Sequence, residues 1–248
     1  EKLVEKAFIH IGKFKKEELP LLPIVPAVEL FHYRNKMEFS FGPQRGKLTL
    51  GLHEPGSWNK IFDVKNCKLF TELSNSILSY VRRKADEIDI PAYDNYSHKG
   101  ALRFLVMKRG VNTGELLVNL ISSRQFLEKS EKLADAITAA YPEITTVIHS
   151  VTDSKAAVAV GEEERVIKGK GSIKEHLLGN TFLISSNTFF QSNTKQAEIL
   201  FQTAFQLAEI ENEEDILELY SGTGAISLLA AAKAKHVSAI EIVRESVN

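Results

Sequence analysis

The sequence predicts an α+β body followed by the opening of a Rossmann-like α/β domain, and three observations carry that prediction. Between Tyr33 and Val64, Met37, Phe39 and Phe41 and then Leu48, Leu50 and Leu52 alternate with polar residues, as half-buried strands do. From Thr71, apolar residues at Leu73, Ile77, Val81, Ala85 and Ile88 instead keep a helical period. Near the end, the apolar strand Ile216–Leu219 runs through Tyr220-Ser221-Gly222-Thr223-Gly224 into an Ala/Leu-rich helix, and a second strand, Val237–Ile240, ends at Glu241. Strand, glycine turn, helix and acid-ended strand are the opening βαβ of a nucleotide-type site.

Each element follows from local chemistry. Leu3, Val4, Ala7, Phe8 and Ile11 form a helical stripe that runs out at Gly12, and Pro20, Pro23 and Pro26 force an extended connector. Gly42-Pro43 and Gly46 mark a hairpin turn. Thr71 is an N-cap type, its hydroxyl able to accept an orphan amide. A second hairpin pairs 101–108 with 116–122 across Gly110–Gly114, and a helix over 127–140 stops before Pro142. Strands are predicted at 145–151, 156–160 and 181–185, with Glu162-Glu163-Glu164 as a solvated turn. A last helix carries Ala197, Leu200, Phe201, Ala204 and Leu207 on one face. The segments divide as 1–30, helix and connector; 31–186, central α+β domain; and 187–248, start of the α/β domain.

Composition narrows the class. With 248 residues, 44% hydrophobic and 25% charged, the chain has the make-up of an ordinary globular protein. Its net charge of −1 neither supports nor excludes nucleic acid, because a balanced total can hide a basic face. A single cysteine, Cys67, rules out an internal disulfide and fits a reducing, cytoplasmic setting. No apolar run approaches the roughly 20 residues that span a bilayer, so no membrane partner is expected, nor does any feature call for an obligate protein partner. The opening Glu1 and the close just beyond an acidic strand end suggest a fragment of a longer protein.

A GxG turn after a strand is moderately specific. The dinucleotide fingerprint wants a third small residue, and Ser227 is a mild departure from it. The text Glu218-Leu219-Tyr220-Ser221-Gly222-Thr223-Gly224 resembles the cofactor turn of S-adenosylmethionine-dependent methyltransferases. An ionised Glu241 accepts hydrogen bonds only, which matches the two hydroxyl donors of a ribose diol. A nicotinamide or flavin nucleotide, or a junction with no ligand, stays open.

Three further segments are more specific: Tyr33–Gly42 (YRNKMEFSFG), Gly51–Ser57 (GLHEPGS) and Asn187–Asn193 (NTFFQSN). Taken in order with the glycine turn, they resemble the RNA (uracil-5-)-methyltransferases, which make 5-methyluridine in ribosomal or transfer RNA. The resemblance covers nearly the whole chain. It implies an RNA-recognition role for the central domain and S-adenosylmethionine as cofactor, contacted at Gln191, Tyr220 and Glu241 and through the turn at Gly222 and Gly224. It also implies that an N-terminal RNA-binding barrel precedes this chain, that its first helix packs on the methyltransferase domain, and that the catalytic cysteine loop follows it. The catalytic set is therefore expected to lie outside these residues. Cys67 reads as a buried small side chain here and, by the resemblance, as the fourth ligand of a 4Fe–4S cluster in the full-length protein.

Weaker signals complete the reading. Arg34, Lys36, Arg45 and Lys47 are candidate phosphate contacts, and His53 and Trp58 candidate stacking partners for bases, against the reading of a solvated sheet edge. Asn35 reads as a structural turn residue and His149 as a satisfied core histidine. Arg103, Arg124 and His176 carry no clear signal. The competing classes are a non-catalytic RNA-binding module and a nucleotide-dependent oxidoreductase. A lone two-stranded start of a parallel sheet lacks neighbours, so residues from about 212 are expected to be partly disordered, re-paired or covered by another chain.

Overall fold

The computed structural model describes residues 1–44, 47–57 and 59–247, with Pro43, Gln44, Lys47, Glu245 and Ser246 described by backbone alone. It divides into two compact units, Glu1–Leu30 and Phe31–Asn248. In the first, helix α1 (Lys2–His10) buries no residue of its own. The Ile24 amide donates to the Glu1 carboxylate at 2.9 Å, tying the proline-rich stretch to the helix start. Phe8 and Phe14 meet edge to face with centroids 5.7 Å apart.

The second unit is built on a seven-stranded sheet in the order β3-β2-β1-β4-β5-β6-β7. Its strands are β1 (Lys36–Gln44), β2 (Lys47–His53), β3 (Ile61–Asp63), β4 (Leu102–Arg109), β5 (Leu116–Ser122), β6 (Thr146–Val151) and β7 (Glu163–Lys168). All neighbours run antiparallel except β5 and β6, which are joined by helix α3 (Leu127–Ala140) in a βαβ crossover. Helix α2 (Glu72–Ile88) lies between β3 and β4 in sequence, and the Thr71 hydroxyl accepts from the Ser74 amide at its start.

Alternation decides which side chains meet. Met37, Phe39, Phe41, Leu50, Leu105, Met107, Val118, Leu120 and Val147 point to one face and form a core with Ile77, Leu78 and Val81 of α2 and Leu133 and Ile137 of α3. The opposite face carries Leu117 and Ile148, which are covered by a hairpin of β8 (Ser172–Leu177) and β9 (Asn180–Ser185) and by helix α4 (Thr194–Ala208). Ile173, Leu177, Phe182, Ile184, Phe190, Ala197 and Phe201 fill that second core. Strand β5 is buried along its whole length, which only a central strand covered on both faces achieves.

The chain closes with β10 (Asp215–Leu219), α5 (Ala225–Ala231), β11 (His236–Ile240) and the short helix α6 (Arg244–Val247). β10 and β11 pair in parallel from Asp215↔His236 to Leu219↔Ile240. Of the three outcomes expected here, re-pairing is corrected: β10 and β11 pair in Rossmann register, with Leu217, Leu219 and Ile240 more than half exposed.

Three other expectations are corrected. The segment 156–160 is an irregular loop, held by the Arg103 guanidinium, which donates to the carbonyls of Ser154 and Ala156. Glu163 and Glu164 do not form a turn. They begin β7, an edge strand whose charges are paired, Glu163 with Arg124 at 2.7 Å and Arg165 with Glu131 at 2.7 Å, while Glu164 accepts from the Ser186 hydroxyl. On α4, Leu200 and Leu207 are exposed, and the buried side is Thr194, Ala197 and Phe201.

Truncating Leu105, fully buried in β4, to alanine should cost about 3 kcal/mol through lost contacts and a cavity. Thr71→Ala should cost about 1 kcal/mol through loss of the cap. Urea unfolding of each variant checks both values.

Candidate functional site

The site grows from the bend that follows β10. Tyr220 has φ +60°, Gly222 +56° and Gly224 +73°, so three left-handed residues reverse the chain within one turn. Glycine adopts this geometry at no steric cost, whereas at Tyr220 it is an uncommon conformation for a bulky side chain. Tyr220 is 89% exposed, its ring projecting from the turn. A Cβ built on Gly222 or Gly224 would meet nothing within 4 Å, so the backbone here lies open.

Two hydrogen bonds tie the end of β11 to this bend: the Gly222 amide donates to Glu241 Oε2 at 2.8 Å, and the Ser221 amide donates to the Ile240 carbonyl at 3.1 Å. The Val243 amide donates to Oε1 of the Glu241 carboxylate at 2.8 Å. The Val243 amide first, and the Gly222 amide after it, hold the Glu241 carboxyl below the usual carboxylate range. Ser227 donates its hydroxyl to the Glu218 carboxylate, so the residue that departs from the dinucleotide pattern locks α5 to β10.

Beside the bend lies a cleft, open to solvent, of about 110 Å³. Its walls include Phe189, Gln191, Glu218, Tyr220 and Gly222, and Leu177 and Phe201 contribute from the second core. The structure thus brings Gln191, Tyr220 and Gly222 into one cavity, with Glu241 bonded to its rim. Gly224 instead serves as the N-cap of α5.

The segment that carries Gln191 is fixed by residues far away in sequence. Asn35 donates from its side chain to the Gln191 carbonyl at 2.6 Å and to Thr194 Oγ1 at 2.9 Å, and its backbone amide donates to the Ser192 carbonyl at 2.8 Å. The Thr194 hydroxyl donates in turn to Glu175, a fully buried carboxylate that also accepts the Val111 and Asn112 amides. Lys108, only 3% exposed, donates to the carbonyls of Ser185, Ser186 and Thr188. Sequence reasoning assigned nothing to Lys108 or Glu175. The available signal was position: Lys108 follows Phe104 and Val106 on one face of β4, where a solvated lysine does not belong.

The remaining candidates are dispersed. Lys36 is half-buried, paired with Glu38 at 2.6 Å, and shares a small recess with Lys108, Thr188 and Phe190. Arg34 Nε donates to the Lys36 carbonyl at 3.3 Å. Arg45 and Trp58 lie outside the described residues, as does the Lys47 side chain. The His53 ring hydrogen-bonds Ser40 at 3.2 Å. His149 is buried against Ser122 at 2.9 Å, and burial pushes its imidazole below the ordinary histidine value.

Cys67 is buried in the helix-covered core, its amide donating to Asn75 Oδ1 at 2.8 Å. Among the described residues, no three His, Cys, Asp or Glu side chains gather as a metal site. One thiolate cannot hold a cluster that takes four cysteines, so the residues of this chain do not fit a 4Fe–4S group.

A parallel βαβ with an open glycine turn and an acid at the second strand end is the arrangement with which nucleotide-cofactor domains open, and here it is joined to a mixed α+β sheet. Residues 17–248 match the tRNA (uracil-5-)-methyltransferase family model, and the chain belongs to that family. It is 35% identical, over 99% of its length and 54% of the relative's, to an uncharacterized RNA methyltransferase of Chlorobaculum tepidum. A second such relative, from Caldanaerobacter subterraneus, is 34% identical over 99% of this chain and 54% of its own length. Among solved structures it is similar to the Pyrococcus abyssi tRNA (uracil-54, C5)-methyltransferase in complex with S-adenosyl-L-homocysteine. That match has TM-score 0.74 and 28% identity and covers 90% of this chain and 52% of the other. The chain spans about half the length of the curated relatives it matches. No helix among the described residues is long and apolar enough to cross a membrane.

Burial pushes the Lys108 ammonium down from 10.5 to about 7, and the nearby Lys36 charge adds to the effect, against Glu38 and Glu164. Between those two values the unfolded chain holds the proton and the folded chain has released it. Stability should therefore rise with pH across that window, and the cost of the buried charge should be fully present below about 7. Urea midpoints followed across that range should show this rise in the wild type and lose it in Lys108→Met.

Proposed function

We propose that this chain carries the RNA-recognition body and the opening of the S-adenosylmethionine domain of an enzyme that methylates C5 of a uridine in RNA. The observation that carries the proposal is the meeting of Gln191, Tyr220 and the Gly222 turn in one open cleft, with Glu241 hydrogen-bonded at its edge.

The chemistry at the edge of the cleft suits an adenosine cofactor. Gly222 leaves the backbone uncovered in the cleft wall, where a ligand must approach closely. Glu241 uses one lone pair on each oxygen for the turn amides and keeps others to accept from ribose hydroxyls. The exposed Tyr220 ring offers an apolar surface, and the Gln191 amide offers both a donor and an acceptor. The bound cofactor would supply a methyl group on a positively charged sulfur.

The other half of the reaction is nucleophilic. In the proposed scheme a cysteine thiolate adds to C6 of uracil, C5 takes the methyl, a base removes the C5 proton, and elimination restores the thiolate. A base inside a helix stack must be extruded first, so a loop or flipped nucleotide is the expected substrate. The chain's one cysteine, Cys67, is 7% exposed and packs with Met37 and Phe39 in the first core, whereas the cleft rests on the second. It is not offered to a substrate there, so the nucleophile is proposed to come from outside these residues. Of the four basic candidates, Lys36 has the best-supported claim to an RNA contact, since it adjoins the segment bearing Phe189 and Gln191.

Isothermal calorimetry on the 248-residue chain should detect S-adenosylhomocysteine and not NAD. Glu241→Ala should weaken that binding at least about tenfold, roughly 1.4 kcal/mol, as expected for hydrogen bonds to a charged acceptor. A folded chain that ignores S-adenosylhomocysteine would overturn the proposal. The same preparation should transfer no labelled methyl to uracil in RNA, and measurable transfer would show that the nucleophile is present after all.

A further inference from the structure

Residues 186–191 have the side-chain period of a strand without being one. Ser186, Thr188 and Phe190 point inward and are buried, while Asn187, Phe189 and Gln191 point outward and are exposed. An extended backbone laid on an apolar sheet face leaves its carbonyls without the partners a neighbouring strand would give. Here one side chain replaces that strand. Lys108 Nζ reaches the carbonyls of Ser185 at 2.8 Å, Ser186 at 2.6 Å and Thr188 at 2.8 Å. Below about pH 7, where Lys108 is an ammonium, it has three N–H donors and no acceptor, so three carbonyls occupy it fully. Asn35 completes the anchorage at the Gln191 and Ser192 carbonyls.

We propose that Lys108 is a positioning residue for the cofactor cleft: it fixes the backbone of 185–188 so that Phe189 and Gln191 face the glycine turn. The proposal rests on the cofactor reading of that cleft. Lys108 does not line the cleft, so it acts through the segment and not on the ligand. Strand β4 is rigid and buried, and an anchor placed on it transmits no motion to the segment it holds. An apolar residue at 108 would leave three inward carbonyls unpaired, and the segment would lift from the sheet to hydrate them. An arginine keeps the charge and several donors, though its planar fork converges less well on three points.

The test compares wild type, Lys108→Met and Lys108→Arg by amide hydrogen exchange and by S-adenosylhomocysteine calorimetry on this chain. Lys108→Met should lose protection at the Asn35 and Ser185 amides, which donate to the Ser192 carbonyl and the Thr188 hydroxyl of the segment, while β4, β5 and β6 keep theirs, and its Kd should rise at least about tenfold. Lys108→Arg should recover most of both. Unchanged protection at the Asn35 and Ser185 amides in the methionine variant would overturn the proposal. So would a uniform loss across β4, β5 and β6, which would make Lys108 a core residue and nothing more. The exchange readout needs no ligand. A wild-type chain that fails to bind S-adenosylhomocysteine would therefore defeat the cofactor reading, with Lys108 still decided by protection.

Discussion

The structure depends on one constraint: β4 and β5, at the middle of the sheet, are covered on both faces. Everything that packs against them must either be apolar or bring hydrogen-bond partners. On the helical side the solution is apolar throughout, with Leu105, Met107, Val118 and Leu120 against α2 and α3. On the other side the covering layer includes backbone that is not in a sheet, and its polar groups are met by Lys108, Asn35 and Glu175. The candidate cleft sits at the rim of that second layer. Its position therefore follows from how the layer's polar groups are satisfied.

This arrangement links three of the chain's four distinctive segments. Asn35, in YRNKMEFSFG, bonds the backbone of NTFFQSN, and NTFFQSN shares a cleft with the glycine turn. Residues separated by some 150 positions in sequence are thus coupled through two hydrogen bonds from one amide group. The chemistry proposed for the turn would have little geometric precision without that coupling.

Much of the fold was legible because its signals are local. The alternation in 37–52, the Thr71 cap and the 127–140 helix each state their conformation within a few residues. The errors have physical causes too. Glu163 and Glu164 looked like a turn because edge strands tolerate acids, and their pairing with Val151 and Ser150 is a long-range fact. Strand β8 was hidden because Glu175 interrupts its apolar face with a carboxylate whose partners, the amides of 111 and 112, lie some 60 residues away. Within the site, glycines and Glu241 could be read from the strand–turn–helix text. Lys108 offered only its place after Phe104 and Val106 on one face of β4, a weak signal because a lysine near a strand end ordinarily faces solvent, and only the covering layer shows where its donors go.

The central claim is that the bend after β10, together with Gln191 and Glu241, forms a cofactor pocket. Amide chemical shifts in the labelled chain, recorded with and without S-adenosylhomocysteine, test it most directly, because the Gly222 and Val243 amides report on Glu241 itself. The account predicts that the largest perturbations fall on 189–191, 220–226 and 241–243, and that β1, β2 and β3 stay still. Saturable perturbations centred elsewhere, with Gly222 and Val243 unmoved, would contradict it.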